Sequence, residues 1–344
     1  MMATKRRLNE QASRRIAGYQ ERKKLFIQIE KERKSKVISY VTGDRRGLET
    51  QISPEVIDIF VEHLDAIGPT KKISLLLHTN GGNTAAAWRL VNLIQTFCDE
   101  LEVIVAAKAL SAGTLISLGA NRIVMTKQAA LGPIDPSLNH PLNPPMPAMP
   151  NINIPVSVEA VKGYLDATKD FGINGEACRT QVIIDLANKV HPLVLGQIFR
   201  TSSQIRFLAR KLLGRQVNDQ VKMDQIIDFL CAESGSHDYT INRREARELG
   251  LNIETPSVNF YDIIKSIHSS YVKELQLLEP YDPNQLMGAQ DSVNYLLPRA
   301  VIESSKIGSH QYVNEGTLSK NNPGQTGIMG ISDLRCFEGW RKIK

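Results

Sequence analysis

Cysteine is scarce and scattered: Cys98, Cys178, Cys231 and Cys336 are the only four in 344 residues. None forms a CxxC pair and no histidine stands at ligand spacing beside them, which argues against a disulfide framework and a zinc site. No apolar run approaches the roughly 20 residues that a membrane helix requires. A secretory signal is missing too, so the expected setting is reducing and cytoplasmic. No internal repeat is visible. A net charge of +6 is present, but it is not a property of the whole chain. Residues 1–36 alone hold 12 basic and 4 acidic side chains, and the remainder is close to neutral.

With 42% hydrophobic and 23% charged residues, the chain as a whole has the composition of an ordinary globular protein large enough for one big core or two modest ones. Residues 1–35 are helix-prone, with an incomplete apolar stripe of Leu8, Ile16, Tyr19, Leu25, Phe26 and Ile29. They are expected to form a surface or protruding helix. Such a basic helix suits nucleic acid, an acidic partner or a membrane surface, or else a solvated arm packed on a neighbouring subunit.

The chain is organised around residues 72–136. Ile73–Leu77 is an apolar run that predicts a strand buried on both faces, as in parallel sheets. His78-Thr79-Asn80-Gly81-Gly82 breaks it, a helix follows from Thr84 to about Cys98, and Leu101–Ala107 is the next buried strand, giving a right-handed βαβ unit. Gly81 and Gly82 stand between strand and helix, where their backbone N–H groups can face an anion. Ser111, in Ala109-Leu110-Ser111-Ala112-Gly113, stands at a second strand-to-helix turn among small residues. That is the setting of an exposed nucleophile with a free N–H on the next residue. A second reading remains open, with Ser111 as a helix N-cap and the glycines serving close packing.

His-Thr-Asn-Gly-Gly, then Ala107-Lys108-Ala109-Leu110-Ser111-Ala112-Gly113-Thr114, then Leu131-Gly132-Pro133-Ile134-Asp135-Pro136, resembles the Clp-protease/crotonase superfamily. More narrowly the set is similar to the serine dehydrogenase proteinase branch, related to signal peptide peptidase A. Blocks at 191–206, 235–241, 245–251 and Gly339-Trp340-Arg341 extend the resemblance over most of residues 36–344. It implies an α/β fold with a parallel sheet of βα units, a helical region and a small C-terminal strand segment. It also implies a serine peptidase without metal or organic cofactor, acting on peptides or unfolded proteins as a homo-oligomer. Asn80, Gly132, Pro133 and Asp135 would line the substrate cleft, and the N–H groups of Gly81, Gly82 and Ala112 would form the oxyanion hole.

A serine needs a group to take its proton. Where the superfamily histidine would be expected, the chain reads Gly132–Pro136, and His140 lies a few residues late in a Pro-rich loop. That departure favours a lysine base. Lys162, 51 residues after Ser111 on the first helix past the cleft loop, matches the spacing of bacterial signal peptide peptidases; it also reads simply as a solvated helix lysine. Lys108 and Lys127 are alternatives, Lys108 being badly aimed if Ser111 opens a helix. His191 and His237 read as structural.

Four segments are expected: a basic arm at 1–35, an α/β core at 36–155, helices at 156–280 and a strand-and-loop segment at 281–344. Ser53-Pro54 should start a helix reaching Ile67, and His140–Pro155 should be an extended loop because of its prolines. Val293–Ser304 and Gln311–Leu318 read as a hairpin through Ser309-His310, with Pro298 confining the first strand to an edge or splitting it. Two other functional classes fit the sequence: an acyl-CoA enzyme sharing the oxyanion geometry, and a non-catalytic scaffold recruiting nucleic acid or a partner through its basic helix.

Overall fold

A computed structural model describes residues 2–343, except 135, 136, 139, 148, 174, 234–238 and 321–329. The chain begins with α1 (Met2–Arg33), β1 (Lys36–Thr42), α2 (Val56–Ile67), β2 (Thr70–Thr79), α3 (Thr84–Gln95) and β3 (Cys98–Ala109). α4 (Ala112–Leu118), β4 (Arg122–Met125) and β5 (Ala130–Leu131) complete the region that holds Ser111. Short pieces follow: β6 (Ser137–Leu138), β7 (Pro145–Met146), β8 (Met149–Asn153) and β9 (Val156–Ser157). Helices then dominate, with α5 (Val158–Asp170), α6 (Glu176–Lys189), α7 (Pro192–Leu213) and α8 (Gln220–Asp228). The chain ends with β10 (Ile241–Asn242), α9 (Arg243–Glu248), β11 (Ile253–Glu254), α10 (Val258–Leu275), α11 (Pro283–Met287), β12 (Ser292–Ser304), β13 (Gly308–Lys320) and β14 (Ile331–Ile343).

The fold is α/β around one mixed sheet. β1, β2, β3 and β4 pair in parallel, and the sheet order runs β10-β5-β3-β2-β1-β12-β13-β14, with β4 beside β3 and carrying β11. Alternation along the strands sends side chains to two cores. Leu75, Leu77, Val103 and Val105 pack under α2, α3, α4, α7 and α8. Leu76, Ile104, Ala106 and Val124 pack under α1 and α10. The parallel strands are therefore buried on both faces, which is why they read as nearly unbroken apolar runs.

Three expectations are corrected. The N-terminal segment is not a protruding arm along its whole length, because Tyr19, Arg22, Phe26 and Ile29 are buried in the fold. Arg22 makes a bidentate pair with Glu303 on β12 (2.8 and 2.7 Å), and Tyr271 on α10 donates to the same carboxylate at 2.7 Å. From Tyr19 onward the stripe is thus part of a docking face, which reads as incomplete because Arg22 shares it. The C-terminal strands are not a separate closing segment either: β12 pairs with β1, and β13 and β14 extend the main sheet antiparallel. Pro298 fits because β1 pairs with β12 only from Ala300 to Ser304, so proline's missing N–H falls past the end of β1, beside a register shift. The turn lies at Ser305–Ile307 rather than Ser309-His310.

The third correction concerns α2, which begins at Val56 with Glu55 as N-cap, while Ser53 Oγ donates to the Glu55 carboxylate (3.0 Å). The Pro-rich stretch is not purely irregular, since β7 and β8 form a small ribbon of their own.

Candidate functional site

β2 and β3 end side by side, with Thr79 paired to Ala109 and the Leu110 N–H donating to Thr79 O at 3.0 Å. The chain after each strand therefore emerges at the same place. Ser111 adopts φ 51° and ψ −113°, a region that side-chain-bearing residues rarely occupy and that costs about 1–3 kcal/mol. Its side chain makes no capping hydrogen bond to α4, and the residue is only partly buried. The N-cap reading thus does not account for this serine. A strained turn that leaves the hydroxyl uncommitted is the local geometry of an exposed nucleophile.

The glycine pair lies against that turn. Gly81 has φ 114° and Gly82 φ 139°, both in the left-handed range that favours glycine. A Cβ built on Gly81 would stand 2.8 Å from Ser111 Cβ and 3.2 Å from Ala112 N, so only glycine permits the approach. The loop is held by Ile52, whose N–H donates to Gly81 O and whose carbonyl accepts the Asn83 N–H, both at 2.8 Å. Asn83 Oδ1 then caps α3 through the Ala86 N–H (2.8 Å).

One expected donor is already committed. The Gly81 N–H donates to Thr79 Oγ1 at 2.9 Å, whereas the Gly82 and Ala112 N–H groups meet no acceptor among the described residues. Of the three backbone donors expected from the sequence, Gly82 and Ala112 are the two left open toward a ligand oxygen.

Thr114, one turn into α4 and fully buried, ties the nucleophile turn to the loop after β5. Its Oγ1 accepts the Gly132 N–H (3.0 Å) and shares its own proton between Gly132 O (2.8 Å) and Ala109 O (2.9 Å). Gly132 packs on Leu110, and Pro133 and Ile134 are buried beside it, while Asn80 is exposed. Asp135 lies outside the described residues. At its far end α4 is anchored by the side-chain amide of Gln216, which donates to Ser117 O (2.9 Å) and Leu118 O (3.0 Å). Gln95 does the same for Gly119 O at 2.8 Å. Sequence reasoning missed Thr79, Thr114 and Gln216, because a threonine or glutamine carries no signal until its buried partners are known.

The candidate bases separate clearly. Lys108 is paired with Asp44. Lys127 is exposed, with Nζ 5.0 Å from the Tyr261 ring centroid. His191 caps α7, its Nδ1 accepting the Leu193 N–H at 3.2 Å, and His140 Nδ1 accepts the Leu142 N–H at 3.1 Å. His237 lies outside the described residues. Lys162 is on the second turn of α5, partly buried, and the adjacent Val161 belongs to a small core with Val158, Val190, Val194 and Ile198. α5 continues directly from β9, which pairs with β6 just after the Gly132–Ile134 loop.

On the opposite face of the same strand ends sits a charged cluster. The Asp44 carboxylate faces the Lys108 ammonium, and His78 Nε2 stands 3.5 Å from Asp44 Oδ1 without a hydrogen bond. His268 on α10 stacks beside His78, with ring centroids 5.1 Å apart. Burial raises the Asp44 carboxyl, but the Lys108 ammonium paired with it and the nearby His78 outweigh that and hold it well below its usual range. Burial, helped by the neighbouring His78, lowers the His268 imidazole to about 4. Among the described residues no group of three or more His, Cys, Asp or Glu side chains is placed to hold a metal ion. No single helix among them is long and apolar enough to cross a membrane.

An uncharacterized protein of Methanocaldococcus jannaschii is 29% identical over 222 residues, covering 64% of this chain and 67% of the relative. Among solved structures, the 1510-N membrane-bound stomatin-specific protease shares 16% identity at a TM-score of 0.38, over 61% of this chain and 77% of that one. ClpP1 from Listeria monocytogenes shares 15% at 0.36, over 68% and 99%. Residues 9–156, which hold the glycine pair, Ser111 and the Gly132–Ile134 loop, match the model of the ClpP-like SDH-type serine proteinases.

Proposed function

We propose that this chain is a serine peptidase with Ser111 as nucleophile, Lys162 as general base and the N–H groups of Gly82 and Ala112 as oxyanion donors. The observation that carries the reading is Ser111 itself: strained, uncapped, partly exposed and in contact with a glycine that no larger residue can replace. In the reaction, Lys162 Nζ takes the hydroxyl proton as Ser111 Oγ attacks the peptide carbonyl carbon. The carbonyl oxygen becomes an oxyanion held by the two N–H groups, each typically worth about 100- to 1,000-fold in turnover. Collapse returns the proton to the leaving amine, and water, deprotonated by the same lysine, hydrolyses the acyl-enzyme. Lys162 follows Val161, whose side chain is buried in the small core under α5 and α7.

Extended peptides or unfolded proteins are the substrates of this reading, with the Gly132–Ile134 loop as one cleft wall. Assembly of identical chains belongs to it too, and Phe171, Ile183, Leu193 and Phe207, exposed on or just after α5, α6 and α7, are apolar side chains that such contacts would cover.

The test is labelling with a fluorophosphonate probe at neutral and mildly alkaline pH. Wild type should label, Ser111→Ala should not, and Lys162→Ala should label far more slowly. Wild-type labelling in Lys162→Ala would remove the lysine from the mechanism. No labelling of the assembled wild-type protein would overturn the peptidase reading and favour a binding scaffold.

A further inference from the structure

Two consecutive glycines are the least restrained backbone in any loop, because neither φ is limited by a side chain. An oxyanion donor needs the reverse, a dipole fixed before the charge develops. Something must therefore hold both peptides that meet at Gly81: the Ile52 N–H holds the Gly81 carbonyl, and so one side of the Gly81–Gly82 peptide, but leaves the Asn80–Gly81 peptide to another partner.

Thr79 is placed to do it. The residue is fully buried and touches both halves of the site. Its Oγ1 accepts the Gly81 N–H (2.9 Å) and the Thr42 hydroxyl (2.7 Å), and its own proton points to Gly81 O at 3.3 Å. Its carbonyl accepts the Leu110 N–H, one residue before Ser111. Its methyl group packs where α4 passes closest, since a Cβ on Gly113 would lie 2.5 Å from Thr79 Cγ2.

We infer that Thr79 is a positioning residue: its hydroxyl captures the Gly81 N–H, clamped in turn by Thr42, and so presents the Gly82 N–H to the reacting carbonyl. This rests on the peptidase reading above. The chemistry accounts for the residue type. Valine has the same shape but leaves the buried Gly81 N–H without an acceptor. The Asn80–Gly81 peptide relieves that loss by rotating, which glycine dihedrals allow, and the shift at the Gly81 Cα, together with the lost Thr79 hydroxyl contact to Gly81 O, moves the adjoining peptide that carries the Gly82 donor. Serine keeps the acceptor and loses only the methyl contact.

The experiment compares full-length wild type, Thr79→Val, Thr79→Ser and Thr42→Val by two readouts. One is the second-order rate of fluorophosphonate labelling, with kcat and KM for p-nitrophenyl acetate. The other is hydrogen exchange of the segment 79–83 followed by mass spectrometry, which needs no activity. Thr79→Val should label about 10- to 100-fold more slowly, as expected for one misdirected donor, with the loss in kcat rather than KM, and segment 79–83 should lose protection. Thr79→Ser should stay within about threefold of wild type, and Thr42→Val should fall between. Should Thr79→Val fail to fold, Thr42→Val carries the same comparison.

Wild-type labelling by Thr79→Val despite lost protection would overturn the proposal, as would Thr79→Ser being impaired like Thr79→Val, which would assign the effect to the methyl group. If protection responds as expected but wild type never labels, the peptidase reading has failed and the catalytic role of Thr79 fails with it. If wild type labels and protection does not respond, only the Thr79 proposal has failed.

Discussion

The ends of β2 and β3 present two chemistries on their two sides. On one, Ser111, Gly81, Gly82 and Thr114 build a neutral site from main-chain dipoles and uncharged hydroxyls. On the other, beneath α10, Asp44, Lys108, His78 and His268 gather charge and titratable nitrogen within a few ångströms. The strand alternation keeps them apart: Thr79 and Ala109 face the first side, His78 and Lys108 the second. A nucleophile turn gains from neutrality, since a fixed carboxylate beside a developing oxyanion would oppose it. The charged side has its own counterpart at the other end of the strands. There Glu102 takes Lys72 Nζ at 3.0 Å, Ser74 Oγ at 2.9 Å and the Arg33 guanidinium, locking the end of α1 to the sheet. The same face thus carries polar networks at both ends with an apolar middle, which is how a 12-residue strand can be buried and still hold a glutamate.

If the division is right, the two sides should break separately. Gly81→Ala should have the largest effect on chemistry: the new Cβ meets Ser111 Cβ at 2.8 Å and φ is 114°. Fluorophosphonate labelling should fall at least about 100-fold, the low end for losing an oxyanion donor. Circular dichroism should show a folded protein; an intact labelling rate would mean that the glycine loop can move away freely.

Arg22→Met probes the α1 face far from Ser111. Removing one partner of a buried, bidentate pair leaves the Glu303 charge uncompensated, and should destabilise by about 3–5 kcal/mol. Urea unfolding measures it. Labelling per folded molecule should be unchanged, whereas a parallel loss would show that the face under α1 and α10 controls the site.

The smallest effect concerns pH. His63 and His268 are held neutral by burial, their folded values lowered to about 3 and about 4. The unfolded chain binds protons near 6.5 that the folded one refuses, so stability is complete above that pH and declines as pH falls toward about 4. Thermal unfolding from pH 7.5 to 4.5 should show the midpoint falling. His268→Leu should make that fall shallower; an identical slope would show that His268 titrates normally.

The parallel core was legible because buried strands and the glycine-serine turns write themselves in local sequence. Ile73–Leu77 lies within β2 and Leu101–Ala107 within β3. The helix after Gly82 was legible too, although it stops at Gln95 and Cys98 already belongs to β3. Less was legible where the deciding partner is far away in the chain. α1 appeared as a solvated basic arm because the partners of Arg22 lie about 250–280 residues later, at Ser270, Glu274 and Glu303.

By itself the sequence determined where the chain must turn sharply and where it must be buried, for those depend on φ freedom, side-chain volume and apolar periodicity, all local properties. It determined that Ser111 and the glycine pair stand at strand ends. Only the tertiary structure decided which N–H groups stay free, which lysines are consumed by other partners, and which side of the sheet receives charge. Those outcomes depend on hydrogen-bond geometry between segments brought together by folding, where an ångström separates a committed donor from an open one.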